Sequence, residues 1–129
     1  MNFQFRPAIR EKTSLLIALA GSSGSGKTYS ALKMARGLAG PNGKIAALDT
    51  EAGRMLHYAD QFEFDHGDLK PPFSPQSYID AIVAADRAGY DVIVIDSLSH
   101  VWDGDGGVRE MQEAVLTRIA GDDYKKRAA

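Results

Sequence analysis

The sequence predicts an α/β fold in which a parallel sheet is flanked by helices. Three apolar runs, at 14–20, 44–49 and 91–96, lack alternating polar residues, which is typical of parallel strands covered on both faces. A helical spacing of apolar residues follows each run, and this alternation is typical of right-handed βαβ units. A glycine-rich stretch connects the first run to the first helix.

The elements of the first half follow from local patterns. Two phenylalanines that alternate with polar residues predict an edge strand at 2–5, which Pro7 ends. Residues 14–20 predict the first buried strand, and an apolar face predicts a helix over 28–39. A Gly-Pro-Asn-Gly stretch ends that helix, and 44–49 predict the second buried strand.

The second half is predicted in the same way. A serine followed by a proline at 74–75 is typical of a helix start, and Gly89 is expected to end that helix. β-Branched residues mark 91–96 as the third buried strand. The predicted elements are a short helix at 52–61, a minor strand at 62–64, a loop at 65–74, a helix from 75 to Gly89, the strand at 91–96 and a helix from Val108 to about Ile119.

Composition limits the function classes. The chain has 129 residues, 44% of them hydrophobic, and we expect one domain spanning 1–129. Its net charge of −2 shows no basic excess of the kind that accompanies nucleic-acid binding. The net charge does not exclude a local basic patch on the surface. Without cysteine, thiol catalysis and thiolate zinc sites are excluded. The N-terminus has no apolar signal segment, so we expect a cytoplasmic protein with no membrane partner.

The glycine-rich stretch at 21–28 matches the pattern G-x-x-x-x-G-K-[ST] in full. Such a loop curls so that successive backbone N–H groups form an anion-binding concavity, and the next helix adds its N-terminal dipole. Lys27 then supplies a charge for the β- and γ-phosphates, and Thr28 a hydroxyl for Mg²⁺. The sequence therefore predicts nucleoside triphosphate binding. The expected nucleotide contacts are Gly21, Ser22, Ser23, Gly24, Ser25, Gly26, Lys27, Thr28 and Tyr29.

Acidic residues end the second and third apolar runs. Ligands of open α/β sheets bind outside the carboxyl ends of the strands, so these residues are candidates for the same site. Asp96 is expected to act at Mg²⁺, through a water molecule. Glu51 could orient or deprotonate the water that attacks the γ-phosphate, whereas Asp49 more simply fixes the strand end. Ser97 follows Asp96 where many phosphate-loop ATPases carry their catalytic Glu, which favours Glu51.

The histidines and the tryptophan are expected to have structural roles. His57, His66 and His100 show no metal-ligand spacing, so we expect surface or packing positions for each. Trp102 is expected in the core or at a partner contact, because no other aromatics accompany it as a base-stacking platform would require.

The segments 17–28, 46–54 and 89–102 together resemble the RecA-type ATPase core, a P-loop NTPase fold. The likeness is greatest to small phage-encoded ATP-binding proteins that act in recombination and single-strand annealing. The resemblance implies ATP and Mg²⁺ as cofactors, Lys27 and Glu51 as catalytic residues with Glu51 positioning the attacking water, and Thr28 and Asp96 at the metal. It also implies a homo-oligomer with single-stranded DNA as a partner.

The sequence departs from that family after the third strand. RecA-type cores continue into further strands, one of which lies between the phosphate-loop strand and the magnesium strand, but no apolar strand follows Val101 here. We therefore expect a C-terminally incomplete core, with 1–129 as the N-terminal part of a longer one. Pairing of 14–20 with another chain, or with the 2–5 strand, is the alternative.

Two other functions remain open at this point. A small-molecule kinase could use the same phosphate loop, although no Arg-rich lid segment is obvious. A nucleotide-binding module without turnover is the other alternative. No Leu-Ser-Gly-Gly-Gln segment supports a transporter ATPase, and no Asn-Lys-x-Asp segment supports a GTPase.

Overall fold

The structure is a computed structural model that describes residues 2–9 and 14–128, with side chains described as far as residue 122. It confirms an α/β fold with a parallel sheet and flanking helices. The elements are α1 (Lys27–Ala39), β1 (Ile45–Asp49), a 3₁₀ helix (Arg54–Tyr58), β2 (Asp65–Asp68), α2 (Pro75–Arg87), β3 (Val92–Asp96), α3 (His100–Asp103) and α4 (Val108–Ala128).

Three parallel strands form the sheet, in the order β2-β1-β3. Asp49 at the end of β1 is in register with Asp68 of β2 and Asp96 of β3. All three strands therefore end at one edge, with an acidic residue on each. This shared edge brings the predicted site residues of β1 and β3 together.

The core lies between α1 and the sheet, because α1 places its apolar face on β1 and β3. Leu32 and Ala35, three positions apart on α1, are both buried, which confirms the predicted apolar face of this helix. Met55 of the 3₁₀ helix closes one side of this core and is fully buried. The buried cluster consists of Leu32, Ala35, Ile45, Ala47, Met55 and Val94.

The prediction of a strand at 14–20 is wrong. The segment is in no strand, and the side chains of Leu15 and Leu16 are 69% and 101% exposed. An apolar run gains a strand's hydrogen bonds only beside another strand, and β3 pairs with β1 alone among the described residues. The predicted edge strand at 2–5 is absent for the same reason, with Phe3 and Phe5 exposed.

The position of β2 corrects a second prediction. Residues 65–74 were expected to be loop and 62–64 a strand, but the strand is Asp65–Asp68. Phe62 and Phe64 instead pack their half-buried rings against the core. The Asp-His-Gly-Asp sequence of β2 has little β propensity. Its backbone pairs with the open edge of β1, and this pairing decides the conformation.

Helices α2 and α4 lie where the sequence predicts them, but their predicted apolar faces are less buried than expected. Ser74 accepts a hydrogen bond from the Ser77 amide at 3.2 Å, as the predicted N-cap of α2. The predicted apolar positions of α4, including Met111 and Ile119, are about half exposed. The helix also extends further than predicted, to Ala128. No helix in the described part of the chain has the length and apolarity needed to cross a membrane.

Candidate functional site

The loop at 21–26 has the backbone geometry of an anion-binding concavity. Gly24 and Gly26 adopt positive φ angles of 78° and 89°, which side-chain-bearing residues rarely adopt. The amide of Ser25 donates to the Ser22 carbonyl at 3.2 Å and closes the turn. Left-handed residues that alternate with right-handed ones direct neighbouring N–H groups to one side. The loop residues are exposed, and α1 begins directly after them.

Lys27 is the first residue of α1, and its side chain folds back over the loop. The ammonium group donates to the carbonyl oxygen of Ser22 at 2.9 Å and to that of Gly21. A Cβ at Gly21 would lie 2.7 Å from the Ser25 hydroxyl, which would have to rotate away. The structure therefore places the charge that is predicted to bind phosphate against the first two residues of the loop.

The Thr28 hydroxyl reaches the end of the third strand. Its Oγ1 donates to Asp96 Oδ2 at 2.5 Å, across 68 positions of sequence. Both side chains are partly buried. The two residues predicted for the metal site are thus brought together by the packing of α1 on β3.

Asp49 is fully buried and organises the loop that carries Glu51. Its Oδ1 accepts from the Glu51 amide at 2.7 Å, and its Oδ2 accepts from the Met55 amide at 3.0 Å and from His66 Nε2 at 2.9 Å. Burial alone would raise the pKa of Asp49, but these hydrogen bonds outweigh it and hold the pKa below its ordinary value. The prediction that Asp49 fixes the strand end describes this geometry.

Further hydrogen bonds join the ends of β1 and β3. The Ser97 amide donates to Thr50 Oγ1 at 2.8 Å, and the Thr50 amide donates to the Asp96 carbonyl at 2.9 Å. Tyr78 of α2 donates from its hydroxyl to the Ser97 carbonyl at 3.0 Å. Burial raises the pKa of Tyr78, which keeps this hydroxyl protonated as a donor. The segments that follow both strands are therefore held in one arrangement.

Glu51 lies just beyond the end of β1, with its carboxylate half-buried. Its Oε1 accepts from His100 Nε2 at 3.0 Å. The next two residues, Ala52 and Gly53, have φ angles of 54° and 86°. A non-glycine residue in the left-handed region is a source of local strain, and such residues concentrate at functional sites.

Tyr29, the predicted nucleotide contact after the loop, is a residue of α1 and packs in an aromatic group. Its ring meets Phe62 edge-on at 5.3 Å between centroids and is 6.4 Å from the Tyr58 ring. The side chain is 40% exposed, so part of the ring remains open to a ligand. Its role at the nucleotide stays a prediction.

Sequence reasoning missed two histidines of this site. His66 and His100 were expected in surface or packing roles, but His66 holds the carboxylate of Asp49 at the end of β1 and His100 holds that of Glu51 just beyond it. The pairing of β2 with β1 positions His66, and no sequence pattern indicated that strand. His100 lies four positions after Asp96, and this proximity was a usable signal. His57 is exposed, as predicted.

Asp49, His66 and Asp68 lie close enough together to share a metal ion. Both oxygens of Asp49 already accept hydrogen bonds, and His66 Nε2 is the donor in one of them. A cation would have to displace these bonds from a fully buried carboxylate. We therefore describe this group as a hydrogen-bonded support for the Glu51 loop.

A phosphate-binding loop before α1 and an acidic residue at the neighbouring strand end define a P-loop nucleotide-binding protein of the α/β class. The AAA domain family matches residues 13–126, and the chain belongs to that family. Membership indicates a nucleotide-binding ATPase and supports ATP as the ligand. No curated protein and no solved structure matches the chain significantly.

Proposed function

We propose that the chain binds ATP with Mg²⁺ and hydrolyses it as a RecA-like ATPase, in DNA recombination or single-strand annealing of a phage or prophage. The contact between Thr28 and Asp96 carries the ATPase part of this proposal. It places the end of the phosphate loop against the acidic end of β3, the pairing that holds Mg²⁺ in P-loop NTPases. The role in DNA metabolism rests on the resemblance to RecA-type proteins.

In this proposal each site residue has a separate task. The loop amides and Lys27 bind the phosphates, because Lys27 can turn from the loop carbonyls to a phosphate oxygen. Glu51 holds the attacking water, since it follows Asp49, the residue that pairs in register with Asp96 at this edge of the sheet. The exposed face of Tyr29 is the candidate contact for the base.

The donor set suits Mg²⁺. A threonine hydroxyl and a carboxylate are hard oxygen ligands, and Mg²⁺ in nucleotide sites takes one or two such groups together with phosphates and water. Thr28 and Asp96 would hold the ion, with Asp96 acting through water. The ion would neutralise charge that develops on the phosphates.

A second copy of the chain and single-stranded DNA are the partners in this proposal. The loop is exposed throughout 21–26, and the apolar segment 14–20 lies without a strand partner among the described residues. A neighbouring subunit that covers this region would exclude water from the nucleotide and supply cations in trans, as phosphoryl transfer uses in related systems. Homo-oligomerisation is thus consistent with the open site.

The exposed 14–20 segment also favours a second candidate, a nucleotide-binding module without turnover. A phosphate loop is held rigidly when the strand before it belongs to a sheet, and here that segment does not. Binding requires the loop and α1, whereas hydrolysis requires accurate placement of the water as well. The two candidates therefore differ in turnover and not in affinity.

We expect ATP binding and single-stranded-DNA-stimulated phosphate release from the wild-type chain. Lys27→Ala should weaken ATP binding about tenfold or more, because a charged hydrogen bond is worth roughly 1.5–3 kcal/mol. Lys70→Ala removes an exposed lysine far from the loop in sequence and should match the wild type. Calorimetry gives the affinities, and a phosphate-release assay with and without DNA gives the rates.

The outcomes separate the candidate functions. ATP binding without phosphate release, with or without DNA, would favour the module. Phosphate transfer to a metabolite that does not depend on DNA would favour a small-molecule kinase. Equal ATP affinity in the Lys27→Ala variant and the wild type would contradict the assignment of the loop itself.

A further inference from the structure

His100 is the first residue of α3 and lies between an aromatic ring and the Glu51 carboxylate. Its ring stacks on Phe73, with centroids 5.0 Å apart and planes inclined by 25°. Its Nε2 lies 3.0 Å from Glu51 Oε1. An ionised carboxylate can only accept hydrogen bonds. The Nε2–H group of His100 is therefore the donor in this hydrogen bond.

The Phe73 ring gives His100 a fixed support. Phe73 is 8% exposed, and its amide donates to the Asp105 carbonyl at 2.7 Å. A Cβ at Gly104 would lie 2.7 Å from the Phe73 ring, which shows how closely the α3–α4 connection packs on it. The imidazole therefore has little freedom to rotate away from Glu51.

Glu51 is held at both ends. Asp49 accepts from its backbone amide at 2.7 Å, and His100 holds its Oε1. Among the described residues the hydrogen bond of the carboxylate uses Oε1, and this leaves Oε2 to accept a proton from water. A long side chain fixed in this way loses the rotamer freedom that would otherwise spread the base over several positions.

We propose that His100 is a positioning residue for Glu51, which aligns the carboxylate with the attacking water without itself touching ATP. This role rests on the proposed ATPase function. His100 ties the segment after β3, which carries Ser97 and no Glu, to the proposed base that follows β1. A purely structural His100 would instead affect stability and nucleotide affinity.

Two substitutions separate the hydrogen bond from the stacking. His100→Phe keeps an aromatic ring on Phe73 and removes the donor, and we expect kcat to fall about tenfold with KM for ATP changed less than about twofold. His100→Gln keeps a donor at a similar reach and should restore most of kcat. His57→Phe, at an exposed histidine, is the matched control. If His100→Phe does not fold, His100→Met provides a second variant without a donor.

The double variant tests whether His100 acts through Glu51. On a Glu51→Gln background, His100→Phe should lower kcat no further, because the group that it positions is already lost. If His100→Phe retains the wild-type kcat while Glu51→Gln is inactive, the positioning role is overturned and the ATPase proposal stands. Additive effects in the double variant also overturn the role. A wild-type chain without turnover overturns the ATPase proposal and this role with it.

Discussion

Replacing Glu51 with glutamine is expected to lower ATP hydrolysis at least about tenfold, an increase of roughly 1.4 kcal/mol or more in activation free energy. Glutamine has the same size and retains an oxygen that can accept from His100 at the observed position. It cannot take a proton from water. The change therefore removes the proposed base while it preserves the surrounding contacts.

Binding of ATP should change little in this variant, because the proposed phosphate contacts come from the loop and from Lys27. We expect the Kd for ATP to stay within about twofold of the wild-type value, since removal of a transition-state interaction affects kcat and not ground-state binding. Single-turnover phosphate release together with calorimetric binding measures both quantities on the same preparation.

Glu63→Gln is the matched control for this experiment. Glu63 is an exposed residue in the connection between the 3₁₀ helix and β2, and in the described part of the chain its hydrogen bond is to the backbone carbonyl, from Arg36 at 2.8 Å. The control should hydrolyse ATP as the wild type does. Undiminished hydrolysis by the Glu51→Gln variant would show that another group activates the water.

The phosphate loop and α1 were predictable because their determinants are local. The motif at 21–28 specifies its own turn geometry through Gly24 and Gly26, and the apolar spacing of α1 requires only one buried face. The approach of Thr28 to Asp96 agrees with their assignment to one metal site, but the packing of α1 on β3 produces it, since the segment before the loop joins no strand. Local chemistry and packing together gave this half of the site.

The segment 14–20 shows a limit of predicting strands from local sequence patterns. Its apolar pattern is that of a buried strand, but a strand also requires a neighbour, and the position of the neighbour is a property of the whole sheet. Conversely, β2 forms from a polar sequence because the open edge of β1 was available. Pairing partners decide both cases, and a single sequence does not specify them.

The support of Glu51 was hidden for a related reason. His66 reaches Asp49 across the β1–β2 pairing, and His100 reaches Glu51 across 49 positions of sequence. Spacing rules detect ligands that share one helix or loop, whereas these contacts join separate elements. The catalytic candidate was visible in the sequence, and the residues that hold it became visible in the fold.

Replacement of Asp49 by asparagine is expected to lower the free energy of unfolding by about 2–3 kcal/mol at pH 7. Asp49 is fully buried and accepts three hydrogen bonds, from the Glu51 and Met55 amides and from His66. Asparagine has one acceptor oxygen, and its NH₂ group would face a donor. At least one buried donor is then left without a partner.

Asp68→Asn is the matched control, because Asp68 ends β2 beside the same histidine but its side chain is 46% exposed and lies 3.7 Å from His66. Its substitution should change stability by less than about 0.5 kcal/mol. Urea unfolding followed by circular dichroism measures all three proteins. Equal stability of the Asp49→Asn variant and the wild type would mean that the three bonds to Asp49 contribute little.

The pH dependence of unfolding independently tests the contribution of the Asp49 carboxylate to stability. Because the folded state holds the pKa of Asp49 below its ordinary value, the unfolded chain binds more protons in acid, and the wild type loses stability as pH falls. This contribution is complete above the unfolded-state pKa, near 3.8, and declines as pH falls through the lower folded-state value. The stability difference between the wild type and Asp49→Asn should therefore be largest near neutral pH and shrink below about pH 4. A difference that stays constant into acid would assign the loss to packing, because packing does not depend on the charge of the carboxylate.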